Sequence, residues 1–190
     1  MRDIKIICLF GNKGVGKSTV ARKLGEIKGW KWISFASPMR DMMEAAFGPE
    51  YGNRFADKEC PRPELGGKSI RHAMMTLGTE WGRDMIDENI WVNALLYRIE
   101  NSSQKYFVID DLRMPNEYDR MLAKGATFVR LMRNEADEKS KAELTELIKR
   151  NQMVHKSERY WPSFTPDFTC QNEDLLRTVD EIYNFCTTCE

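Results

Sequence analysis

Two rhythms of apolar positions alternate along the chain. Residues 4–10 (Ile-Lys-Ile-Ile-Cys-Leu-Phe) form a short β-branched run closed by Gly11, the pattern of a buried strand. From Ser18 to Lys28 the apolar residues Val20, Ala21, Leu24 and Ile27 fall at helical spacing, and Gly29 stops them. Lys31 to Ala36 reads as a second strand, after which Ser37 is placed to cap a helix with Pro38 at its first position. The stretch from Gly48 to Gly67 is polar, punctuated by Gly and Pro and without a period, so it reads as an irregular, mobile excursion.

Helical spacing returns twice, through Ile70, Met74, Leu77 and Trp81 and then through Trp91, Leu95, Leu96 and Ile99. Tyr106 to Asp110 is the clearest central strand, apolar until an acid at its end. Pro115 to Lys124 predicts a short helix and Ala126 to Met132 another strand. Residues 134–151 are a charged helical stretch with only Ala142, Leu144, Leu147 and Ile148 to bury. The segment Tyr160–Pro166 is aromatic for a connection and blurs the boundary before a last short strand, Phe168 to Gln171. Glu173 to Phe185 closes the chain as an amphipathic helix through Leu175, Leu176, Val179, Ile182 and Tyr183. Strands alternating with helices predict an α/β fold whose parallel sheet, of about five strands, is covered on both faces.

Composition narrows the function classes. A chain of 190 residues is one domain's worth, and 42% hydrophobic residues suffice for a packed core. The 29 basic and 29 acidic residues cancel, which argues against a coat for polymeric nucleic acid while allowing a local basic cleft. No apolar run reaches the roughly 20 residues that a membrane span needs, and the N-terminus is too briefly apolar for a signal peptide, so a cytoplasmic protein is expected. Five scattered cysteines suggest free thiols. Cys186 and Cys189 have C-x-x-C spacing, but no second pair completes a zinc site, and a helix end is the simpler reading.

Chemistry enters at Gly11-Asn12-Lys13-Gly14-Val15-Gly16-Lys17-Ser18-Thr19, which fits G-x-x-x-x-G-K-[S/T] directly between a buried strand and a helix. The glycines let successive N–H groups turn toward phosphate oxygens, and the helix N-terminus adds its partial positive charge. Lys17 is expected to reach the β- and γ-phosphates of ATP, and the Ser18 hydroxyl to ligate Mg²⁺. Asp110 and Asp111, at the carboxyl end of the central strand, are the acids expected to hold Mg²⁺, and Arg113 is positioned to meet an anion. The competing reading is that one of the two acids caps the helix that follows.

The ordered set of segments extends beyond the phosphate loop. It includes Phe35-Ala36-Ser37-Pro38-Met39-Arg40, then Leu77-Gly78-Thr79-Glu80-Trp81-Gly82-Arg83 with Trp91-Val92, then Asp111-Leu112-Arg113-Met114-Pro115-Asn116-Glu117. His155-Lys156-Ser157-Glu158 and Asn172 complete it. With these segments the chain resembles the phage-type deoxynucleoside monophosphate kinases, adenylate kinase-like enzymes of the P-loop kinase class. The resemblance implies a P-loop NTPase three-layer sandwich with a helical acceptor-binding insertion near residues 40–100 and a small lid near 134–160. It implies transfer of the ATP γ-phosphoryl group to a deoxynucleoside 5′-monophosphate, in the host cytoplasm if the chain is phage-encoded. Arg40, Arg71 and Arg83 are the candidates to hold acceptor phosphate, Thr79, Glu80 and Trp81 are candidates to contact or stack on its base, and Ser37 and Arg113 are further substrate-binding candidates. Trp81 could equally be core, and an arginine on an exposed helix is most often solvated. Arg130 and Arg133, leading into the expected lid, are candidates to close over the triphosphate beside Lys17 and Asp111, with Arg150 and Arg159 competing for that role. The acceptor base and the oligomeric state stay open, a homodimer being one option. Other readings are a different small-molecule P-loop kinase, such as a dephospho-coenzyme A kinase-like protein, and a nucleotide-switched ATPase.

Lys17→Ala is expected to lose most phosphoryl transfer while leaving the fold nearly intact. Activity within a few-fold of wild type in a normally folded variant would remove the phosphate loop from this reading.

Overall fold

Strand β1 (Lys5–Phe10) alternates its side chains between two covered faces, which explains why nearly every residue in it is buried. The computed structural model describes residues 4–133, 135–149 and 159–188. Arg150, the His155–Glu158 segment and Cys189 lie outside the described residues. The chain divides into two compact units, residues 1–34 with 102–190, and residues 35–101.

The first unit is built on one sheet. Its strands β1, β2 (Lys31–Ile33), β5 (Tyr106–Ile109), β6 (Thr127–Met132) and β7 (Phe168–Gln171) lie in the order β2-β5-β1-β6-β7, all parallel. The chain fills one side of β1 first and then crosses to the other. The carboxyl end of β1 is therefore a switch point, where open α/β sheets bind ligands. On one face Ile7, Leu9, Val108, Val129 and Leu131 pack against Val20, Ala21 and Leu24 of helix α1 (Lys17–Lys28). Val179 and Ile182 from the last helix, Leu175–Thr188, join the same cluster. Each such Val, Leu or Ile side chain, fully withdrawn from water, contributes about 1.5–3 kcal/mol.

The opposite face is covered by aromatic residues that carried no clear assignment in the sequence. Phe164 meets Phe10 edge-on at 5.9 Å and stacks on Tyr118 at 4.7 Å, and Tyr118 also lies 4.4 Å from Phe128. Tyr118 belongs to the helix Pro115–Ala123. The Tyr160–Pro166 segment is thus a wall of the core, with Trp161 only 2% exposed. Helix Glu135–Lys149 follows β6 as the charged periodicity predicted.

The second unit is mostly helical. Helix α2 spans Ser37–Phe47, and its N-cap is Ala36, with Ser37 already inside the first turn. Ser37 is therefore not the capping residue expected from the sequence; its Oγ instead accepts from Arg54 Nη2 at 3.1 Å. Strand β2 also stops at Ile33, short of the predicted Ala36. The polar excursion 48–67 is more regular than its composition suggests. It holds helix α3 (Pro49–Gly52) and an antiparallel hairpin of β3 (Pro61–Arg62) and β4 (Lys68–Ser69). Gly66 and Gly67, at φ 60° and 77°, supply the left-handed backbone that this turn needs. Tyr51 Oη donates to Glu64 at 2.8 Å and fastens the excursion to a small cluster of Met43, Tyr51 and Ile70.

Helix α4 (Ile70–Thr76) is capped by Ser69, which accepts from His72 N, and it runs straight into a π-helix, Leu77–Ile86. A π-helix this long is unusual, since most are single turns inside α-helices. It fits closely against its neighbours within this unit because Gly78 and Gly82 have no side chains. A Cβ at Gly78 would lie 2.9 Å from Met39 Sδ, and one at Gly82 would lie 2.6 Å from the Trp91 indole. Trp91, on helix α5 (Ile90–Glu100), is 3% exposed, and its Nε1 donates to the Gly78 carbonyl at 2.8 Å.

The thiols read as expected. Cys8 is fully buried, and burial first, then the charges of Asp111 and Glu117, holds its thiol well above the usual range. Burial and the Glu181 carboxylate push Cys170 up to about 12. Neither is a nucleophile at neutral pH. No helix among the described residues is long and apolar enough to cross a membrane.

Gly82→Ala is expected to push the Trp91 indole off the Gly78 carbonyl, destabilising the protein by about 1–3 kcal/mol. Thermal denaturation followed by circular dichroism checks this; a melting temperature within a degree of wild type would contradict the packing described.

Candidate active site

The phosphate loop occupies the switch point. Gly11, Gly14 and Gly16 take φ values of 133°, 86° and 95°, a backbone that other residues adopt only with strain. Gly16 is the N-cap of α1, and no side chain caps that end of the helix. The helix thus presents main-chain N–H groups and its positive end to the loop, the arrangement that receives phosphate. Lys17 Nζ donates to the carbonyls of Gly11 at 2.8 Å and Asn12 at 2.7 Å. Its charge is thus held over the loop.

Ser18 Oγ donates to Asp110 Oδ2 at 2.5 Å, joining the end of the loop to the end of β5. Asp110 is 6% exposed. A hydroxyl oxygen and a carboxylate in contact are hard donors of the kind Mg²⁺ takes, and Mg²⁺ commonly uses one or two protein ligands with substrate phosphates and water completing its shell. The donor set therefore fits the metal expected from the sequence. Asp110 is the acid that meets Ser18, and the adjacent Asp111 is half-buried.

The competing reading, that an aspartate caps the helix Pro115–Ala123, is replaced by a different residue. Glu117, 2% exposed, reaches back to accept from the N–H groups of Arg113 at 2.8 Å and Met114 at 3.0 Å. This capping box fixes the turn that carries the half-buried Arg113.

The two arginines of β6 and its end differ sharply. Arg133 is exposed, and its N–H donates to Asp137 at 2.5 Å. Asp137 also accepts from Asn12 Nδ2 at 2.8 Å, so one carboxylate links helix Glu135–Lys149 to the phosphate loop. Arg130 is 4% exposed within β6, opposite Phe10, with its guanidinium 5.4 Å from the Trp161 ring centre. It is thus held on the aromatic face of the sheet, where both faces of β6 are covered. Arg159 is exposed beside Tyr160, 6.0 Å from its ring centre.

The acceptor candidates all lie in the second unit except Arg113. Arg83 Nη1 donates to the Gly78 carbonyl at 3.0 Å, the same oxygen that receives Trp91. Trp81 is 38% exposed, with its ring 6.1 Å from that of Trp91. The core alternative for Trp81 therefore fails, since the i→i+5 geometry turns it away from the face that α-helical spacing predicts. Thr79 is half-buried and Glu80 exposed on the same segment. Arg40 is half-buried on α2 near the Ser37–Arg54 pair. Arg71 is exposed and ion-paired with Glu59. Sequence reasoning missed Arg54 and Asp137. Arg54 sits in the polar excursion without a period and Asp137 in the first turn of the charged helix, and in both places the only signal is charge.

Comparison with known proteins bears on the same residues. The family profile described as deoxynucleotide monophosphate kinase matches residues 63–149, from the hairpin through the π-helix and Asp110 to the end of the charged helix. A protein of Acanthamoeba polyphaga mimivirus, provisionally described as a deoxynucleotide monophosphate kinase, is 29% identical over 143 residues, spanning 67% of this chain and 74% of its own length. Among solved structures, a provisionally assigned kinase from Chloroflexus aurantiacus shares the fold with a TM-score of 0.50 at 12% identity, each chain covered completely. TT1252 from Thermus thermophilus shares it at TM-score 0.50 and 16% identity, over 98% of this chain and 100% of its own.

Ser18→Ala is expected to weaken binding of ATP with Mg²⁺ about tenfold and leave binding of metal-free ATP unchanged. Calorimetric titration with and without the metal checks this; equal losses in both would mean that Ser18 does not serve the cation. With its phosphate loop, its parallel-sheet fold and the segment matched over residues 63–149, this chain is similar to the deoxynucleotide monophosphate kinases.

Proposed function

We propose that the chain is an ATP-dependent kinase that transfers the γ-phosphoryl group to a deoxynucleoside 5′-monophosphate, giving the diphosphate. The observation that carries this reading is the Ser18–Asp110 contact beside a loop whose lysine is already held over it. The family match over residues 63–149 supports the acceptor class, and it does so independently, because it does not include the phosphate loop.

Phosphoryl transfer asks little covalent chemistry of the protein. Charge spreads over the oxygens of the group in flight, so catalysis is mostly positioning and countercharge. The main-chain N–H groups of residues 11–19 cradle the triphosphate, and Lys17 leaves the Gly11 and Asn12 carbonyls to meet the β- and γ-oxygens. Ser18, Asp110 and Asp111 would hold Mg²⁺, which when bound would supply countercharge to the triphosphate. Arg133 moves over the triphosphate with the charged helix, and water is excluded, so that the acceptor oxygen and not water receives the group. Arg40 and Arg83 hold the acceptor phosphate. Trp81 offers an aromatic face, and Thr79 and Glu80 offer polar groups, to the base.

A coupled ADP-release assay with ATP, Mg²⁺ and a panel of acceptors tests this. The panel holds dAMP, dGMP, dCMP, dTMP, their ribose counterparts and dephospho-coenzyme A. Turnover is expected on one or more deoxynucleotides, with the diphosphate seen by chromatography. Silence on every nucleotide with tight ATP binding would overturn the acceptor, and ATP hydrolysis that responds only to a macromolecule would favour a switch.

A further inference from the structure

Asn172 follows β7 and stands far from the loop motif in sequence. Its own N–H donates to the Met132 carbonyl at 2.6 Å, which fixes it to the end of β6. Its side-chain Nδ2 donates to the Val15 carbonyl at 2.8 Å, inside the phosphate loop. A carbonyl oxygen can only accept, so the amide nitrogen and not the amide oxygen must face it. The amide also packs on the next residue, since a Cβ on Gly16 would lie 2.4 Å from Nδ2.

The peptide between Val15 and Gly16 is trans and planar, so its C=O and N–H point in opposite directions. Drawing the Val15 carbonyl toward Asn172 therefore aims the Gly16 N–H the other way. In a loop of this type the N–H groups that open the helix meet the phosphates. A peptide with Gly16 at φ 95° has glycine's freedom to rotate, and an unpinned plane would sample orientations that aim its donor elsewhere.

We infer that Asn172 is a positioning residue for nucleotide binding: it locks the Val15–Gly16 peptide plane and so presets one phosphate-binding N–H. It acts through the loop backbone and is not a catalytic residue. The inference rests on the phosphate-loop reading above and adds to it a part of the site contributed by the opposite end of the chain. It also gives Gly16 a second role. Any side chain there would displace the amide that orients the preceding peptide.

The test is calorimetric titration of ADP into wild type, Asn172→Ala and Asn172→Leu. Leucine keeps the approximate shape of asparagine without a donor or a charge, so it serves if the alanine variant folds poorly. A control is Thr178→Val, which removes the Thr178 Oγ1 bond to the Gln171 carbonyl at 3.2 Å and loosens the same turn without touching the loop. Both Asn172 variants are expected to bind ADP about tenfold more weakly, the scale of one lost hydrogen bond, while Thr178→Val binds as wild type. Unchanged affinity in the Asn172 variants would overturn the inference, and so would an equal loss in Thr178→Val, because Asn172 would then only support the turn. Failure of the wild type to bind ADP would overturn the phosphate-loop reading and this inference with it.

Discussion

The first unit depends on how closely the backbone at the end of β1 approaches its neighbour. A Cβ on Gly11 would lie 2.4 Å from the Leu131 carbonyl oxygen, and Gly11 itself takes a φ of 133°. Only glycine meets both conditions. That approach lets the chain leave the sheet and curl at once, without first climbing clear of β6. From it follow the position of Lys17 over the Gly11 and Asn12 carbonyls, the start of α1, and the reach of Ser18 to Asp110. The sheet order completes the arrangement. Because β1 lies between β5 and β6, the strand carrying Asp110 and the strand ending near Arg133 flank the same loop.

Arg130 and the aromatic wall explain each other. Burying a guanidinium is costly unless something compensates, and the face of Trp161 is one of the few apolar surfaces that attract a cation. The planar guanidinium suits such a contact better than an ammonium would. The aromatic run Tyr160–Pro166 therefore has two tasks, covering Phe10 and Tyr118 through Phe164 and lying against Arg130 through Trp161.

The strands and the loop were legible because each is specified locally. A β-branched run ended by glycine needs no distant partner to be recognised, and the loop motif lies within nine residues. The acid at the end of β5 was legible for the same reason, although which of two adjacent acids meets Ser18 depends on strand pairing. The burial of Arg130 was not legible, because a charge in an apolar strand carries no local sign of what packs against it. Only the later segment 160–166 reveals that its face is covered. Ser37 looked like a cap, and the backbone instead starts its helix one residue earlier at Ala36, leaving the hydroxyl to Arg54. Trp81 was ambiguous because the spacing of Leu77 and Trp81 was read at 3.6 residues per turn, and that segment winds differently. Its winding is stabilised by what two glycines allow Met39 and Trp91 to do, which no local pattern encodes.

The π-helix also bears on how this part of the chain can vary in length. Each of its turns holds more residues than an α-turn, so a single deletion within 77–86 could be absorbed by reverting to α-geometry without opening a gap in the backbone. The flanking residues would keep their places, while within the rewound segment each step would turn by about 100°, the α-helical step, instead of the smaller π-helical one. Thr79, Glu80, Trp81 and Arg83 are separated by one residue or two, and such a step would re-aim some of them while leaving the rest in place. A one-residue gap in this stretch between related chains thus stands for a change in the set of side chains presented together, a larger alteration of the surface than any single substitution there would make.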